Sequence, residues 1–330
     1  MHSDLTEKNV QSYAFVFVCQ QGEIEGMSLL LAASLKRFIQ CEYELIAALP
    51  TPFDKWGIPQ PRTLALLEEM GVRIVYFENY IPGNTLGDLL TNKIYCLQIP
   101  TAMDQLVFLD SDMLCLRKFY GDERFSIPIN VASTFRATGR NWNAIYAAVN
   151  LSVPTTEIET LFSGEMQPPY FNSGFIGVKS ELGPILAQEW FECFHRINSS
   201  GAMRDNPYFR EQVSLAVAII KMGLEYDLLD ESYNFWVKAR PLDPNNLPYF
   251  LHHTWPYPML YEQPILEETI RSLLGEYPGM ARVVALSRWR YYFQPKWWVS
   301  IQQTLFELNR KRFKEFFNPF LRDLGLALFD

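Results

Sequence analysis

Two carboxylates stand two residues apart at the end of an apolar run in QLVFLDSDMLCL, residues 105–116. Residues i and i+2 of a strand point to the same side, so Asp110 and Asp112 can converge where the strand breaks into a loop. Hard ions such as Mg²⁺ and Mn²⁺ prefer carboxylate oxygens, and substrate phosphates commonly complete their coordination. The pair therefore predicts a divalent cation, although acidic pairs also solvate ordinary loops.

The segments around this pair follow the pattern of an α/β protein. YAFVFVC, residues 13–19, is typical of a strand buried on both faces, and GMSLLLAASLKRF after it has helical spacing. Strand, helix and strand then follow, with Gly71 at the end of the helix. This alternation predicts a mostly parallel central sheet flanked by helices, with ligands beyond the carboxyl ends of its strands. Asp110 and Asp112 lie at such an end.

The rest of the chain is less regular. Residues 119–169 show no clean period, which predicts loops and short helices over the site. A strand is then predicted in YFNSGFIGVKS, and a helix closed by Gly223 in NPYFREQVSLAVAIIKMG. The pattern is helical from residue 265 onward. We therefore expect one domain over residues 1–262, with a C-terminal helical extension over residues 263–330 packed on it.

Composition narrows the class of protein. The chain has 330 residues, and its 48% hydrophobic content supports a full core. Its net charge near -8 disfavours nucleic acid as a partner. The five cysteines are scattered and form no CxxC pair, which predicts reduced thiols in a cytoplasmic protein. The polar N-terminus and the short apolar run after it do not have the pattern of a signal peptide or a membrane span.

The C-terminal segment KWWVSIQQTLFELNRKRFKEFF is amphipathic, with aromatic residues on one face and clustered basic residues, namely Arg310, Lys311, Arg312 and Lys314. Basic amphipathic helices can rest on anionic membranes, so a weak peripheral membrane contact is one prediction. Packing within the protein is the favoured alternative, because Glu307 and Glu315 dilute the positive charge. The sequence carries no signal for an oligomeric state.

The segment LTNKIYCLQIPTAMDQLVFLDSDMLCL resembles the donor-binding segment of the glycogenin-like retaining glycosyltransferases, the family 8 group with a GT-A fold. In that family a lysine on a helix precedes the strand, and a DxD motif closes the strand. Lys93 and the run Asp110, Ser111, Asp112 occupy those places. The resemblance implies that these residues bind the nucleotide-sugar donor.

Motifs farther along the chain continue the resemblance. YFNSGFIGVK looks like the family's FNSG strand, with Asn172, Ser173 and Gly174 in register. REQVSLAVAI stands where the family has an acid followed by Gln on a helix, which places Glu211 and Gln212. The resemblance implies catalytic roles for Asn172, Glu211 and Gln212, in hydrogen bonding to the sugar and lining the acceptor face. It implies donor binding for Ser173 and Gly174.

The resemblance also implies a third metal ligand. YFLHH is similar to the segment whose histidine completes the site with Asp110 and Asp112; this places the role on His252, with His253 a close rival. The implied cofactor is Mn²⁺ or Mg²⁺. The implied reaction moves a hexose, with retention, from a nucleotide diphosphate sugar, UDP-sugar first among them, to a hydroxyl acceptor.

Two positions depart from the family pattern. Glu211 is one methylene longer than the aspartate usual there. HHTWPYPMLYE holds no lysine where relatives have one that binds the diphosphate. The charge of the leaving diphosphate would then be met by Lys93, by Arg136 or Arg140, or by the metal alone.

Two other functions compete with this interpretation. A strand ending in DSD also resembles the nucleophile motif of haloacid dehalogenase phosphatases. However, Leu114 stands where that motif has Thr or Val, and the sequence holds no adjacent Asp-Asp pair. The other alternative is a non-catalytic binder of sugar nucleotides or proteins, favoured by the missing lysine and by Glu211.

Overall fold

The computed structural model describes residues 11–81, 88, 90–134, 140–205, 207–237, 240–253, 263–302, 304, 305 and 308. Its strands in chain order are β1 (Tyr13–Val18), β2 (Tyr43–Thr51), β3 (Arg73–Glu78), β4 (Gln105–Leu109), β5 (Met113–Cys115), β6 (Ile129–Ser133), β7 (Ile158–Glu159), β8 (Met166–Gln167), β9 (Phe171–Lys179), β10 (Tyr226–Leu229), β11 (Phe235–Trp236) and β12 (Phe250–His252). Its α-helices are α1 (Glu23–Phe38), α2 (Phe53–Trp56), α3 (Pro61–Glu69), α4 (Asn92–Cys96), α5 (Trp142–Ala147), α6 (Gly183–Ser200), α7 (Arg210–Met222), α8 (Pro264–Glu276) and α9 (Ala281–Val284).

A seven-stranded sheet forms the centre of the described part of the chain, in the order β10-β6-β9-β4-β1-β2-β3. Neighbouring strands are parallel except at β9, which runs antiparallel to both β4 and β6. The first residues of β9 therefore lie at the same edge as the last residues of β4. This mixed α/β architecture confirms the predicted fold class and is consistent with a GT-A-like fold.

Hydrophobic cores cover both faces of the sheet. Alternate residues of β1 face opposite sides, so the aromatic side chains of Tyr13, Phe15 and Phe17 pack with α1 and the C-terminal helices. The other face of the sheet packs against α6 and α7, whose buried residues include Trp190. Burial on both faces is the physical reason that β1 is a continuous apolar run.

One central strand was not predicted. The sequence predicted loops and short helices throughout residues 119–169, but β6 lies between β9 and β10 and is fully buried. This strand includes Asn130 and Ser133, so it lacks the long apolar run that marks β1. The buried Asn130 Nδ2 donates to the carbonyl of Arg124 at 3.0 Å, a contact across the fold that the sequence pattern does not show.

The C-terminal segment packs on α1 through helices α8 and α9 and a 3-10 helix over Arg288–Phe293. The contact is close at Gly26 of α1, where an added Cβ would lie 2.7 Å from the carbonyl oxygen of Val283. Beyond it, several apolar side chains are exposed, namely Trp297, Trp298, Ile301, Leu305 and Leu308. The domain boundary at residue 262 stays a prediction.

The basic cluster of the C-terminal segment, residues 310–314, lies outside the described residues, so the membrane contact also stays a prediction. Across the part of the chain that the structure describes, none of the helices combines the length and the apolar character needed to cross a bilayer.

Replacing Gly26 with Ala should destabilise the protein by about 1–3 kcal/mol, because the new methyl group overpacks the backbone of α9. The matched control is Gly275→Ala in α8, where a Cβ meets nothing within 4 Å. Ala suits a helix better than Gly, so the control should gain up to about 1 kcal/mol. Urea unfolding measures both, and equal stability of the two variants would contradict the close packing.

Candidate active site

The candidate site is built where β4 ends beside the beginning of β9. The backbone N–H of Asp110 donates to the carbonyl of Gly174 at 2.8 Å, which joins the two strands at this edge. The hydroxyl of Ser111 donates to the carbonyl of Val18 at 2.5 Å and so fixes the turn to the end of β1. The Ser111 side chain is thus occupied within the protein.

Asp110, Asp112 and His252 meet at this edge. A small sheet of β11, β12 and β5 brings the histidine there, since His252 of β12 pairs with Met113 of β5. Its Nε2 lies 3.2 Å from Asp112 Oδ1 and 3.7 Å from Asp110 Oδ2. One ligand atom from each of the three residues lies within 4.8 Å of the others. The three residues could therefore hold one metal ion.

The surroundings of His252 suit a metal ligand. Its Nδ1 lies 2.7 Å from the side-chain oxygen of Asn234. An oxygen at that position suits a histidine that donates from Nδ1 and binds a metal through Nε2. Space is made by Gly174, where a Cβ would lie 2.6 Å from His252 Cε1. The arrangement of two carboxylates and one imidazole nitrogen fits a divalent cation.

His253 has a different environment. Its ring is fully buried and stacks on Trp289, with 4.3 Å between ring centroids. Burial lowers the pKa of His253 to about 4, so the ring is neutral near pH 7. Its backbone N–H donates to the carbonyl of Asp112 at 2.9 Å. Of the two histidines, His252 is the one that the fold brings to the acid pair.

Lys93 lies in α4 and its ammonium group is at the centre of a buried network. It is 2.9 Å from Asp110 Oδ2, 3.1 Å from Ser173 Oγ and 3.4 Å from Glu211 Oε1. The hydroxyl of Ser173 in turn donates to the Glu211 carboxylate at 2.9–3.0 Å. Burial raises the pKa of Glu211 to about 7, and Lys93 opposes that rise. The Glu211 side chain is fully enclosed, so it contacts Lys93 and Ser173 rather than the open edge.

Asn172 and Gln212 are also fixed by neighbours within the protein. The side-chain oxygen of Asn172 accepts the backbone N–H of Gly174 at 2.9 Å. The side-chain oxygen of Gln212 accepts the hydroxyl of Tyr170 at 2.9 Å, and that hydroxyl accepts from Arg140 Nη2 at 3.0 Å. The amide N–H groups of Asn172 and Gln212 are the parts that remain for a ligand. Arg140 is therefore linked to Gln212 through the hydroxyl of Tyr170.

Sequence reasoning missed one residue. Arg288 Nη1 lies 2.9 Å from Asp112 Oδ2, although the two residues are 176 positions apart. Burial by itself would raise the pKa of Asp112, but the neighbouring His252 and Arg288 hold it well below its usual range. No local pattern in the helical C-terminal segment signals this contact. Two other expectations, Arg136 and the segment that follows His253, lie outside the described residues.

Residues 15–223 match the family described as the Rhodobacterales glycosyltransferase domain. The chain belongs to this family. Comparison with curated proteins found no match. Membership in this glycosyltransferase family supports a transferase that uses a sugar donor and an acceptor, and it favours that function over the phosphatase alternative. The matched residues include Lys93 and the acid pair, whereas His252 and Arg288 follow the match. The finer resemblance to family 8 stays a prediction.

The two histidines can be separated by substitution. His252→Ala should weaken Mn²⁺ binding by about 10-fold or more, because it removes a ligand atom. His253→Ala should leave Mn²⁺ affinity within a few-fold. It should lower the free energy of unfolding by about 2–5 kcal/mol, because it empties the stack on Trp289.

Electron paramagnetic resonance of a Mn²⁺ titration gives the affinity of each variant, and urea unfolding gives its stability. The reverse result, with His253→Ala losing Mn²⁺ and His252→Ala keeping it, would assign the ligand to the other histidine.

Proposed function

We propose that this protein is a metal-dependent glycosyltransferase that moves a hexose from a nucleotide diphosphate sugar, with UDP-sugar as the first candidate, to a hydroxyl acceptor with retention. The observation that carries the proposal is the convergence of Asp110, Asp112 and His252 at the carboxyl edge of the sheet. Ligands of open α/β sheets bind at such edges. Family membership supplies the class of reaction.

Asp110, Asp112 and His252 would hold Mn²⁺ or Mg²⁺. Two carboxylates and one neutral imidazole leave coordination positions for oxygen atoms of a diphosphate and for water. When bound there, the ion would neutralise negative charge on the departing diphosphate. The hydrogen bond between His252 and Asn234 supports this assignment, because a ligating histidine commonly donates its other N–H to an oxygen.

Asn172 and Gln212 are the proposed contacts to the sugar and acceptor. Their side-chain oxygens are held by Gly174 N–H and by Tyr170, so each amide group is already oriented before a substrate binds. For Glu211 we propose a positioning role, because its enclosed carboxylate reaches Lys93 and Ser173. Lys93 would add positive charge beside Asp110 and keep that carboxylate in place.

Retention without an enzymic nucleophile favours a front-face reaction. The bond between the anomeric carbon and the leaving phosphate oxygen breaks, and the acceptor oxygen bonds to the same face of the sugar. The acceptor proton passes to the leaving phosphate oxygen. In this scheme the task of Gln212 and Asn172 is to hold the two reacting groups on one face. The enclosure of Glu211 supports it, since a nucleophile must touch the sugar.

The first experiment follows slow hydrolysis of a panel of nucleotide sugars to free nucleoside diphosphate, with and without Mn²⁺. Hydrolysis of one donor should need the metal, and EDTA should abolish it. Asp112→Asn keeps an oxygen but loses the negative charge that attracts the metal, so it should reduce the rate by at least the roughly 10- to 100-fold typical of losing an outer-shell partner of a metal. The matched control is Asp54→Asn, at an exposed position of helix α2, which should hydrolyse the donor at the wild-type rate.

Three outcomes would contradict this function. Turnover that survives both EDTA and Asp112→Asn would remove the metal from the reaction. If no donor is hydrolysed, and none raises the melting temperature in the presence of Mn²⁺, then the acid pair does not form a sugar-nucleotide site. Metal-dependent binding without turnover, even when a range of acceptors is supplied, would favour the non-catalytic binder.

Stereochemistry tests the mechanism separately from the function. Once a donor and acceptor are known, proton NMR of the first product formed gives the configuration of the new linkage. We expect the configuration of the donor, because the acceptor attacks from the face that the phosphate leaves. An inverted linkage would exclude the front-face reaction while leaving the glycosyltransferase assignment intact.

A further inference from the structure

Arg288 is a positive charge placed at the acid pair by the C-terminal segment. It begins the 3-10 helix over Arg288–Phe293, well after the end of the family match at residue 223. Its Nη1 is 2.9 Å from Asp112 Oδ2, while the other oxygen of Asp112 lies 3.2 Å from His252. Its Nε is 3.8 Å from Glu23 at the start of α1. Arg288 therefore extends along the rim of the candidate metal site.

The other cations of the site are less able to reach a ligand. Lys93 is 7% exposed at its side chain and already contacts two carboxylates. Arg140 donates to Tyr170 and lies over the ring of that residue. The side chain of Arg288 is 36% exposed, so it borders both solvent and the acid pair. Among the described residues of the site, Arg288 best combines a reachable positive charge with contact to a proposed metal ligand.

The charge of Arg288 has a consequence for ligand binding. A cation held by Asp112 would lie close to the guanidinium, and two like charges repel each other unless an anion lies between them. A diphosphate is such an anion, and a planar guanidinium can donate two parallel hydrogen bonds to its oxygens. The geometry therefore favours a ligand that places phosphate oxygens between the metal position and Arg288.

We propose that Arg288 is the residue that binds the diphosphate of the donor, the role left open by the missing lysine after His253. The proposal rests on the proposed function, since it assigns a new contact to the same donor. Asp112 holds the guanidinium at the rim in the absence of ligand. When metal and donor bind together, Asp112 would hold the metal through the oxygen that faces His252, and Arg288 would turn from the other oxygen to donate to the diphosphate.

This exchange predicts that metal and nucleotide bind cooperatively. Mn²⁺ alone would lie close to the guanidinium of Arg288 with no anion between the two positive charges. Mn²⁺ with a nucleoside diphosphate supplies that anion, so each ligand should raise the affinity for the other by the same factor. Removing the guanidinium should then weaken nucleotide binding without weakening the binding of Mn²⁺ alone.

The test is isothermal titration calorimetry on the full chain. Wild type is first titrated with UDP, GDP, ADP and dTDP at saturating Mn²⁺, and the tightest nucleotide is used for all variants. Arg288→Gln should weaken its binding by about 10- to 100-fold, the range for losing a charged hydrogen bond. The same variant should bind Mn²⁺ alone as tightly as wild type or more tightly. Arg288→Lys, which keeps the charge but not the fork of donors, should lie between wild type and Arg288→Gln.

Arg290→Gln is the matched control. Arg290 lies in the same 3-10 helix, has the same 36% exposure and pairs with Glu23, but it makes no contact with the acid pair. Its affinities for nucleotide and Mn²⁺ should stay within about twofold of wild type, which corresponds to less than about 0.5 kcal/mol. Circular dichroism melts confirm folding, and if Arg288→Gln is unfolded, Arg288→Lys is compared with Arg290→Lys.

The outcomes separate the two claims. Nucleotide binding that is lost in Asp112→Asn but kept in Arg288→Gln would overturn the role of Arg288 and leave the proposed function standing. Equal losses of Mn²⁺ and nucleotide affinity in Arg288→Gln would also overturn it, because the residue would then only be holding Asp112 in place. If wild type binds no nucleotide with Mn²⁺, both the proposed function and this role fail.

Discussion

The buried ammonium group of Lys93 is the interaction on which the candidate site depends. It lies on α4 and contacts Asp110 after β4, Ser173 in β9 and Glu211 in α7, so one cation joins four elements. A charge in the interior is tolerated when it is paired, and loss of one partner leaves the rest uncompensated. Pairing of this kind holds Asp110 in place before any ligand binds, which is what a preorganised metal site needs.

Asp110 and Asp112 have different charged neighbours. Asp110 faces Lys93, which is enclosed, whereas Asp112 faces His252 on one oxygen and Arg288 on the other. The pair of Lys93 and Asp110 is enclosed and structural. The pair of Arg288 and Asp112 lies at the rim, where a ligand can compete for it. Segments far apart in the chain meet here because α1 carries Glu23 at the same edge and its Gly26 allows the C-terminal helices to pack closely. The C-terminal segment is thus part of the site as well as of the core.

Strands with a clear signature could be predicted from the sequence. The buried run of β1, the end of β4 at Asp110 and the helix closed by Gly223 are all confirmed. The prediction of a loop at β6 was wrong. The sequence shows that Asn130 is polar, but it does not show the Arg124 carbonyl that accepts its amide N–H in the folded protein. Local patterns report which faces are apolar, but they do not report which polar groups find a partner across the fold.

Some features of the candidate site could likewise be predicted from the sequence, and others needed the tertiary structure. The sequence placed Asp110 and Asp112 directly after a strand, but strand alternation does not bring them together: both lie in the turn after β4, where the backbone N–H of Met113 donates to the carbonyl of Asp110 at 2.9 Å. The choice between His252 and His253 needed the tertiary structure, because adjacent strand residues point in opposite directions and only the register of β12 against β5 decides which one meets the acids. The identification of Arg288 as a site residue also needed the tertiary structure. Its contact with Asp112 spans 176 positions, and sequence periodicity carries no information about contacts at that separation.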